Sequence, residues 1–383
     1  MNEFYNAIEA GCAGDGVTDD TLALQGALDR HSHVFLPAGK YLISRTLRLH
    51  SGTHIEADPG ARVIYIARAP MTIHDFLLTN DDTMFGNTDI SIDGGIWDGG
   101  NSGKFNVKEF ELYKIGGPSG ACLNFVGVKG LTLTNMEITN TISFYVRMSR
   151  VKDFVIKNIV FSSEKMTSNQ DGLHFGGMVF DGVIENLRAT TPGQTGDDMI
   201  AFNADDSVHR HDNRGLNCGP IENITVRGVY AESCMCAFRF ASVTAPIRNI
   251  HISDADCGCW GRAINGDAAR YCRTPLFIEQ NAPGGVGCIE NVTLENCSFH
   301  FTRETDEALI NIESHADNFK IKNLARPANK DQSPKSPSLL ARNLVRQKIV
   351  ADGKAPVILG EKSEVCVIDR FTNLEMDYTR PEK

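Results

Sequence analysis

The chain of 383 residues has no apolar run approaching the roughly 18–20 residues that a membrane-spanning helix needs, so no membrane partner is expected. It is short of positive charge: 38 Lys and Arg stand against 48 Asp and Glu, a net charge of −10, which argues against nucleic acid as a partner. The opening residues lack a basic segment followed by an apolar stretch, so the expectation is a cytoplasmic protein, or a secreted one if a leader has been trimmed away. Neither a phosphate-binding glycine loop nor a paired-histidine metalloprotease helix occurs, so no cofactor and no metal are expected. The 11 cysteines are odd in number and scattered, unlike a disulfide framework, and reduced thiols suit the cytoplasmic expectation. With 42% hydrophobic and 22% charged residues, the composition is that of an ordinary globular protein.

Helical periodicity is also scarce, and what replaces it is a repeat. Short β-type runs end at Asn135, Asn158, Asn186, Gly228, Asp254, Asn296 and Asn323, with spacings of 23, 28, 42, 26, 42 and 27 residues. Asn, Gly and Asp tolerate the left-handed backbone that a tight turn demands. Stacked asparagines can also bond to one another, as in other strand arrays. Such a period with β-rich segments predicts an all-β chain folded as a right-handed parallel β-helix, a solenoid of stacked rungs. The spacings of 42 suit either one rung with a long loop or two rungs. One amphipathic stretch, near residues 18–30, predicts a helix capped by Thr18 or Asp19, with Leu24, Ala27 and Leu28 on one face. It would close the N-terminal end of the solenoid. The expected division is a β-helix domain over residues 1–325 and a linker with a strand-rich extension over residues 326–383. Lys330–Ser338 reads as the linker, and the extension as a distal cap or a contact between identical subunits.

Two segments repeat each other: Asp171-Gly-Leu-His-Phe175 and Asp198-Met-Ile-Ala-Phe202, 27 residues apart. Leu173 and Phe175 inward put His174 outward, as strand alternation requires. By the same parity Arg239, between Phe238 and Phe240, projects onto that outer face. Asp171, Asp197 and Asp198 then gather on one edge of adjacent rungs, whose strands lie about 4.8 Å apart. Carboxylates so close cannot all ionise, and one should hold a proton near neutral pH. Glycoside hydrolysis needs that division between an acid and a base; turn-capping aspartates are the plainer alternative.

Ser168-Asn-Gln-Asp-Gly172 followed by Thr195-Gly-Asp-Asp-Met-Ile-Ala201 resembles the paired signature of polygalacturonases, glycoside hydrolase family 28. Gly14-Asp-Gly-Val-Thr-Asp-Asp-Thr21 resembles the opening of pectinase-type, pectin lyase-like β-helix proteins. The resemblance implies a hydrolase acting on a pectin-like or other acidic oligosaccharide or polysaccharide. It makes Asp197 the general acid, with Asp171 and Asp198 activating water in an inverting displacement. The family's Arg-Ile-Lys motif is Arg239-Phe-Ala241 here, keeping the arginine and losing the lysine that helps to hold a uronate. No Gly-His-Gly exists in the chain, and His174, His209 or His211 could take the place of its histidine. Arg262, Arg270 and Arg273, in a segment rich in Arg and aromatics, are further substrate-binding candidates.

Cys234, Cys236, Cys257 and Cys259 share the inward parity of Phe238 and are expected to be buried, reduced and free of metal. Two rivals to hydrolysis use the same scaffold. One is a lyase or epimerase abstracting a proton beside a uronate; the other binds carbohydrate without turnover.

Overall fold

The computed structural model describes residues 4–66, 74–101, 120–167, 169–205, 218–243, 245–266, 287–312, 314, 316–341, 348–351 and 357–358. Among these the chain is a right-handed parallel β-helix. Val128–Thr139 pairs in parallel with Lys152–Ser162, that strand with Val179–Ala189, and that in turn with Ile221–Ala241. Ile247–Ser253, Ile289–Glu295 and Phe319–Lys322 continue the stack. A second column stacks beside it: Leu123–Val126, Val146–Ser149, Leu173–Phe175 and Asp198–Asn203, then the end of Ile221–Ala241 and Asp256–Gly266. Both gaps of 42 residues are single rungs, since Glu185 registers with Arg227 and Ser253 with Glu295.

The physical basis of the repeat is a pair of left-handed residues five positions apart. Gly130 and Asn135, Asp153 and Asn158, Asp181 and Asn186, Asn223 and Gly228, Asn249 and Asp254, Asn291 and Asn296, and Asn318 and Asn323 all have positive φ. The second member of each pair resets the alternation of the strand. In successive rungs Leu131, Leu133, Met136 and Ile138, then Phe154, Ile156, Ile159 and Phe161, are all buried. Without the left-handed residue, strict alternation would turn the second half of each rung inside out. The side chains at these corners form ladders: Asn186 Nδ2 donates to Asn158 Oδ1 (2.8 Å), and Asn158 Nδ2 to Asn135 Oδ1 (2.7 Å). At the other corner Asn249 Nδ2 donates to Asn223 Oδ1 (2.9 Å) and Asn318 Nδ2 to Asn291 Oδ1 (2.7 Å).

The interior is a column of side chains, each Leu, Ile or Phe worth about 1.5–3 kcal/mol when removed from water. Phe154, Phe175, Phe202 and Phe240 follow one another with ring centroids 5.7, 5.5 and 5.1 Å apart, the first two contacts edge-to-face and the last stacked. Cys234, Cys236, Cys257 and Cys259 are buried free thiols in this core, with Cys234 and Cys259 sulfurs 3.8 Å apart. Burial raises the pKa of each thiol, which keeps them protonated and unreactive.

At the N-terminus the helix runs over Thr21–Arg30 and buries Leu24, Ala27 and Leu28. Its cap differs from the expectation. The N-cap is Asp20, whose carboxylate accepts instead from the Ala13 and Gly14 N–H groups (2.6 and 3.1 Å). Asp19 accepts from Thr21 N–H (3.1 Å) and Ser44 Oγ (2.6 Å), which ties the helix start to the first rungs. None of the described helices is long and apolar enough to cross a membrane.

At the other end the stack passes residue 325. Leu339–Ala341 pairs in parallel with Ile310–Ile312, and Lys348–Ala351 with Phe319–Lys322. The segment read as a linker is tied down: buried Arg326 donates to Asp331 Oδ2 (2.9 Å), Ser333 O (2.6 Å), Ser336 O (2.9 Å) and Ser338 Oγ (3.0 Å). Its Pro and Ser content looks like loop, but these carbonyls and hydroxyls serve a buried guanidinium. Beyond it Lys348–Ala351 meets Val357–Ile358 in an antiparallel pair.

Candidate active site

The site is built where Leu173–Phe175 and Asp198–Asn203 lie side by side, with Leu173 opposite Ile200 and Phe175 opposite Phe202. Leu173, Phe175, Ile200 and Phe202 fill the core, which fixes where the residues just before each strand must sit. Asp171 is held by its backbone: Tyr145 N–H donates to its carbonyl (2.8 Å), and Gly172 N–H donates to the Asp198 carbonyl (2.8 Å). Gly172 is required there, since a Cβ would fall 2.6 Å from the Met199 carbonyl oxygen and 2.7 Å from the Phe161 ring. Gly196 answers the same need, with Thr167 O 2.5 Å from its ideal Cβ position. Gln170, between Asn169 and Asp171, is a brace. Its amide nitrogen donates to Thr141 O (2.8 Å) and its oxygen accepts from Thr167 N–H (2.7 Å) and Gln194 Nε2 (3.3 Å).

These constraints bring Asp171, Asp197 and Asp198 together, with one carboxylate oxygen of each within 4.8 Å of the others. Asp171 Oδ2 accepts from His174 Nδ1 at 2.5 Å, and its Oδ1 accepts from Asp198 N–H at 3.4 Å. Asp197 Oδ2 accepts from Asn169 Nδ2 (3.3 Å). Burial, then the charges of Asp197 and Asp171, push the Asp198 carboxyl well above the usual carboxylate range, while Arg239 and the Cys236 thiol oppose the rise. Asp198 is therefore the carboxyl of the cluster that is driven toward its protonated form. The cause is depth: Asp198 is 1% exposed and Asp197 9%. Asp171, Asp197 and Asp198 form the one grouping among the described residues whose donor atoms are close enough to share a cation. A cation would need all of them ionised, and the burial of Asp198 opposes that.

The other anticipated residues divide. Arg239 lies in register with Ala201 on the neighbouring strand, near enough for its charge to act on Asp198. His174 faces away from the core, as its parity requires, yet it is fully buried. It stacks on Phe144 with centroids 3.7 Å apart and is bonded to Asp171. In this arrangement it is placed to orient Asp171. Arg262 registers with Cys236 on the same strand edge, two rungs from Asp198, and is ion-paired with Glu307. His209, His211, Arg270 and Arg273 lie outside the described residues.

Three supports escaped the sequence reading. Phe144 and Gln170 are described above, and Tyr145 OH donates to Gln194 Oε1 (2.8 Å) beneath them. Of these only Gln170 carried a sequence signal, as the middle residue of the Asn-x-Asp motif. The outer column holding His174 runs Asn124, Arg147, His174, Ala201, Arg239, Asn265 and Asn311. It contains two guanidinium groups and no carboxylate, in a protein of net charge −10.

A family model described as rhamnogalacturonase A/epimerase, pectate lyase-like, matches residues 4–260. The pre-neck appendage protein of Bacillus phage B103 is 33% identical over 99 residues, a stretch that covers 25% of this chain and 11% of that protein. Among solved structures, the exopolygalacturonase of Thermotoga maritima superposes with a TM-score of 0.58 at 15% identity, covering 96% of each chain. The N-terminal fragment of bacteriophage Phi29 gene product 12 gives 0.62 at 14% identity, covering 88% of this chain and 59% of that one. The iota-carrageenase of A. fortis gives 0.59 at 13% identity, covering 78% and 72%. The chain thus spans only part of the phage proteins, and at these identities the solved structures share its fold.

Proposed function

We propose that this chain, which belongs to the rhamnogalacturonase A/epimerase, pectate lyase-like family, hydrolyses a glycosidic bond in an acidic, pectin-like saccharide. The observation that carries the reading is the gathering of Asp171, Asp197 and Asp198 within 4.8 Å, one of them driven by burial to keep a proton. Asp198 holds that proton at rest and Asp197, the most open of the group, delivers it to the leaving oxygen as the glycosidic bond breaks. Asp171, oriented by His174, takes a proton from the water whose oxygen bonds to the anomeric carbon. Returning that proton to the cluster restores the starting state, so each turnover consumes one water.

Inversion calls for carboxyl groups about 6.5–9.5 Å apart, and the nearest oxygens here are closer, within 4.8 Å. The attacking water then sits beside the cluster, not between its nearest oxygens. Arg239 and the residues of the outer column would hold the acidic sugar. Incubation with defined acidic oligosaccharides, followed by product analysis, tests the reading. New reducing ends without ultraviolet absorbance support hydrolysis; an unsaturated product means a lyase, and a changed sugar stereocentre an epimerase.

A second reading, glycan binding without turnover, is favoured by the near-complete burial of Asp171 and Asp198, at 2% and 1% exposure. Bacteriophage Phi29 gene product 12 and PfbA, a surface adhesin of Streptococcus pneumoniae, share the fold. Binding by the wild type, with no product even at high enzyme concentration, would establish it.

A further inference from the structure

Cys236 sits directly against the proposed proton store and has no part in the scheme above. It pairs in register with Asp198 across one rung, and both residues are buried, at 0% and 1% exposure. Its backbone N–H donates to the Asp197 carbonyl (3.3 Å), which binds its strand to the same edge. Asp198 Oδ1 is buried with no hydrogen bond among the described residues. Among the described residues the Cys236 thiol donates to the Ala263 carbonyl at 3.9 Å, a long contact that leaves it little committed. Thiol and carboxyl nonetheless perturb each other: Cys236 lowers Asp198, and Asp198 raises Cys236.

The residue type matters here. A buried carboxyl ionises when strong donors reach its oxygens and stays neutral when they do not. A hydroxyl at this position would be a strong donor; a thiol is a weak one and otherwise packs as a small hydrophobe. We propose that Cys236 is a positioning residue for Asp198, a weak donor on the neighbouring rung that fills the space beside the carboxyl without drawing off its proton. Its use in turnover rests on the hydrolytic reading above; its effect on Asp198 does not.

The test reads Asp198 itself. In protein labelled with ¹³C at the aspartate carboxyl carbons, the Asp198 resonance, assigned by its loss in Asp198→Asn, is followed against pH. Cys236→Ser should move its titration to lower pH than wild type. Cys236→Ala should leave it where it is or move it higher. Thermal unfolding of each variant establishes that the fold persists at the temperature of the titration. In the active enzyme the pH limb governed by Asp198 should shift in the same order. Coincident ¹³C titrations in the folded variants would overturn the proposal, and so would Ser and Ala moving the resonance alike. A Ser-specific shift in a protein with no turnover would keep this proposal and discard the hydrolytic one.

Discussion

His174 Nδ1 lies 2.5 Å from Asp171 Oδ2, and both side chains are sealed from solvent. The strand that carries His174 turns it away from the core, and Phe144 stacks flat on its ring. The imidazole is thereby locked in one rotamer and passes that rigidity to Asp171. His174→Ala should leave Asp171 free to rotate. Turnover should fall about 10–100-fold, the scale of a misplacement near 1 Å, while KM changes little, as expected of a residue that acts through Asp171. A rise in KM with an unchanged kcat would instead make it a substrate ligand.

Asp197 is the carboxyl that solvent reaches most easily in the cluster. Asp197→Asn keeps its shape and its contact with Asn169 but cannot deliver a proton. A loss of about 10²–10⁴-fold in kcat, with binding largely kept, is expected for a general acid. Proton NMR of fresh product, before mutarotation, gives the stereochemistry. An inverted anomer is expected, and a retained one would assign Asp171 or Asp198 as a nucleophile.

The rungs were legible because the left-handed corner at Asn135, Asn158 and their successors is mostly asparagine. The earlier corner, five residues upstream, begins with Gly130, Asp153 and Asp181 and turns to asparagine only from Asn223 onward, so its first rungs carry no repeated residue to announce it. Loop insertions left the 42-residue spacings ambiguous, because a loop lengthens the chain without changing strand register. The aspartates were legible as a motif repeated one rung apart. Their depth was not, and adjacent residues differ in it: Asp198 is 1% exposed and Asp197 9%. Parity placed His174 outward correctly but carries no information on whether that face is covered. The segment after Leu324 looked like linker because composition does not reveal that its carbonyls converge on Arg326.

That convergence gives a stability prediction. Arg326 and Asp331 pair at 2.8 Å with each side chain 1% exposed. Removing one member of such a pair strands the other charge and costs about 3–5 kcal/mol. Arg326→Met should therefore loosen the C-terminal rungs, seen as early hydrogen exchange over residues 298–341 ahead of the rest of the stack. Replacing both members, Arg326→Met with Asp331→Leu, should recover much of the loss. Equal exchange in wild type and the single variant would show that this segment does not hold the end of the solenoid.

The last prediction concerns pH and the N-terminal cap. His50 Nδ1 lies 2.6 Å from Asp81 Oδ2 and Nε2 lies 2.9 Å from Asp29 Oδ1, so both ring nitrogens must carry protons for both contacts to be hydrogen bonds. Asp29 is on the capping helix and Asp81 follows the strand Leu78–Asn80, which makes the imidazolium a staple between cap and stack. The Asp29 contact raises His50 above its ordinary 6.5, with burial opposing and Asp81 adding to the rise. His50 in turn lowers Asp29 below its ordinary 3.8, helped by Gln25. A raised histidine contributes stability that is complete below 6.5 and is lost as pH climbs through its folded value. A lowered carboxylate contributes stability that is complete above 3.8 and is lost as pH falls through its own. The staple is therefore whole across the interval between those ordinary values. With His50 43% exposed, water screens the gain and keeps it modest. Thermal unfolding of wild type and His50→Gln should differ most at mildly acidic pH and converge above neutrality. A difference that stays constant from pH ~5 to ~9 would mean the imidazole acts by packing and not by charge.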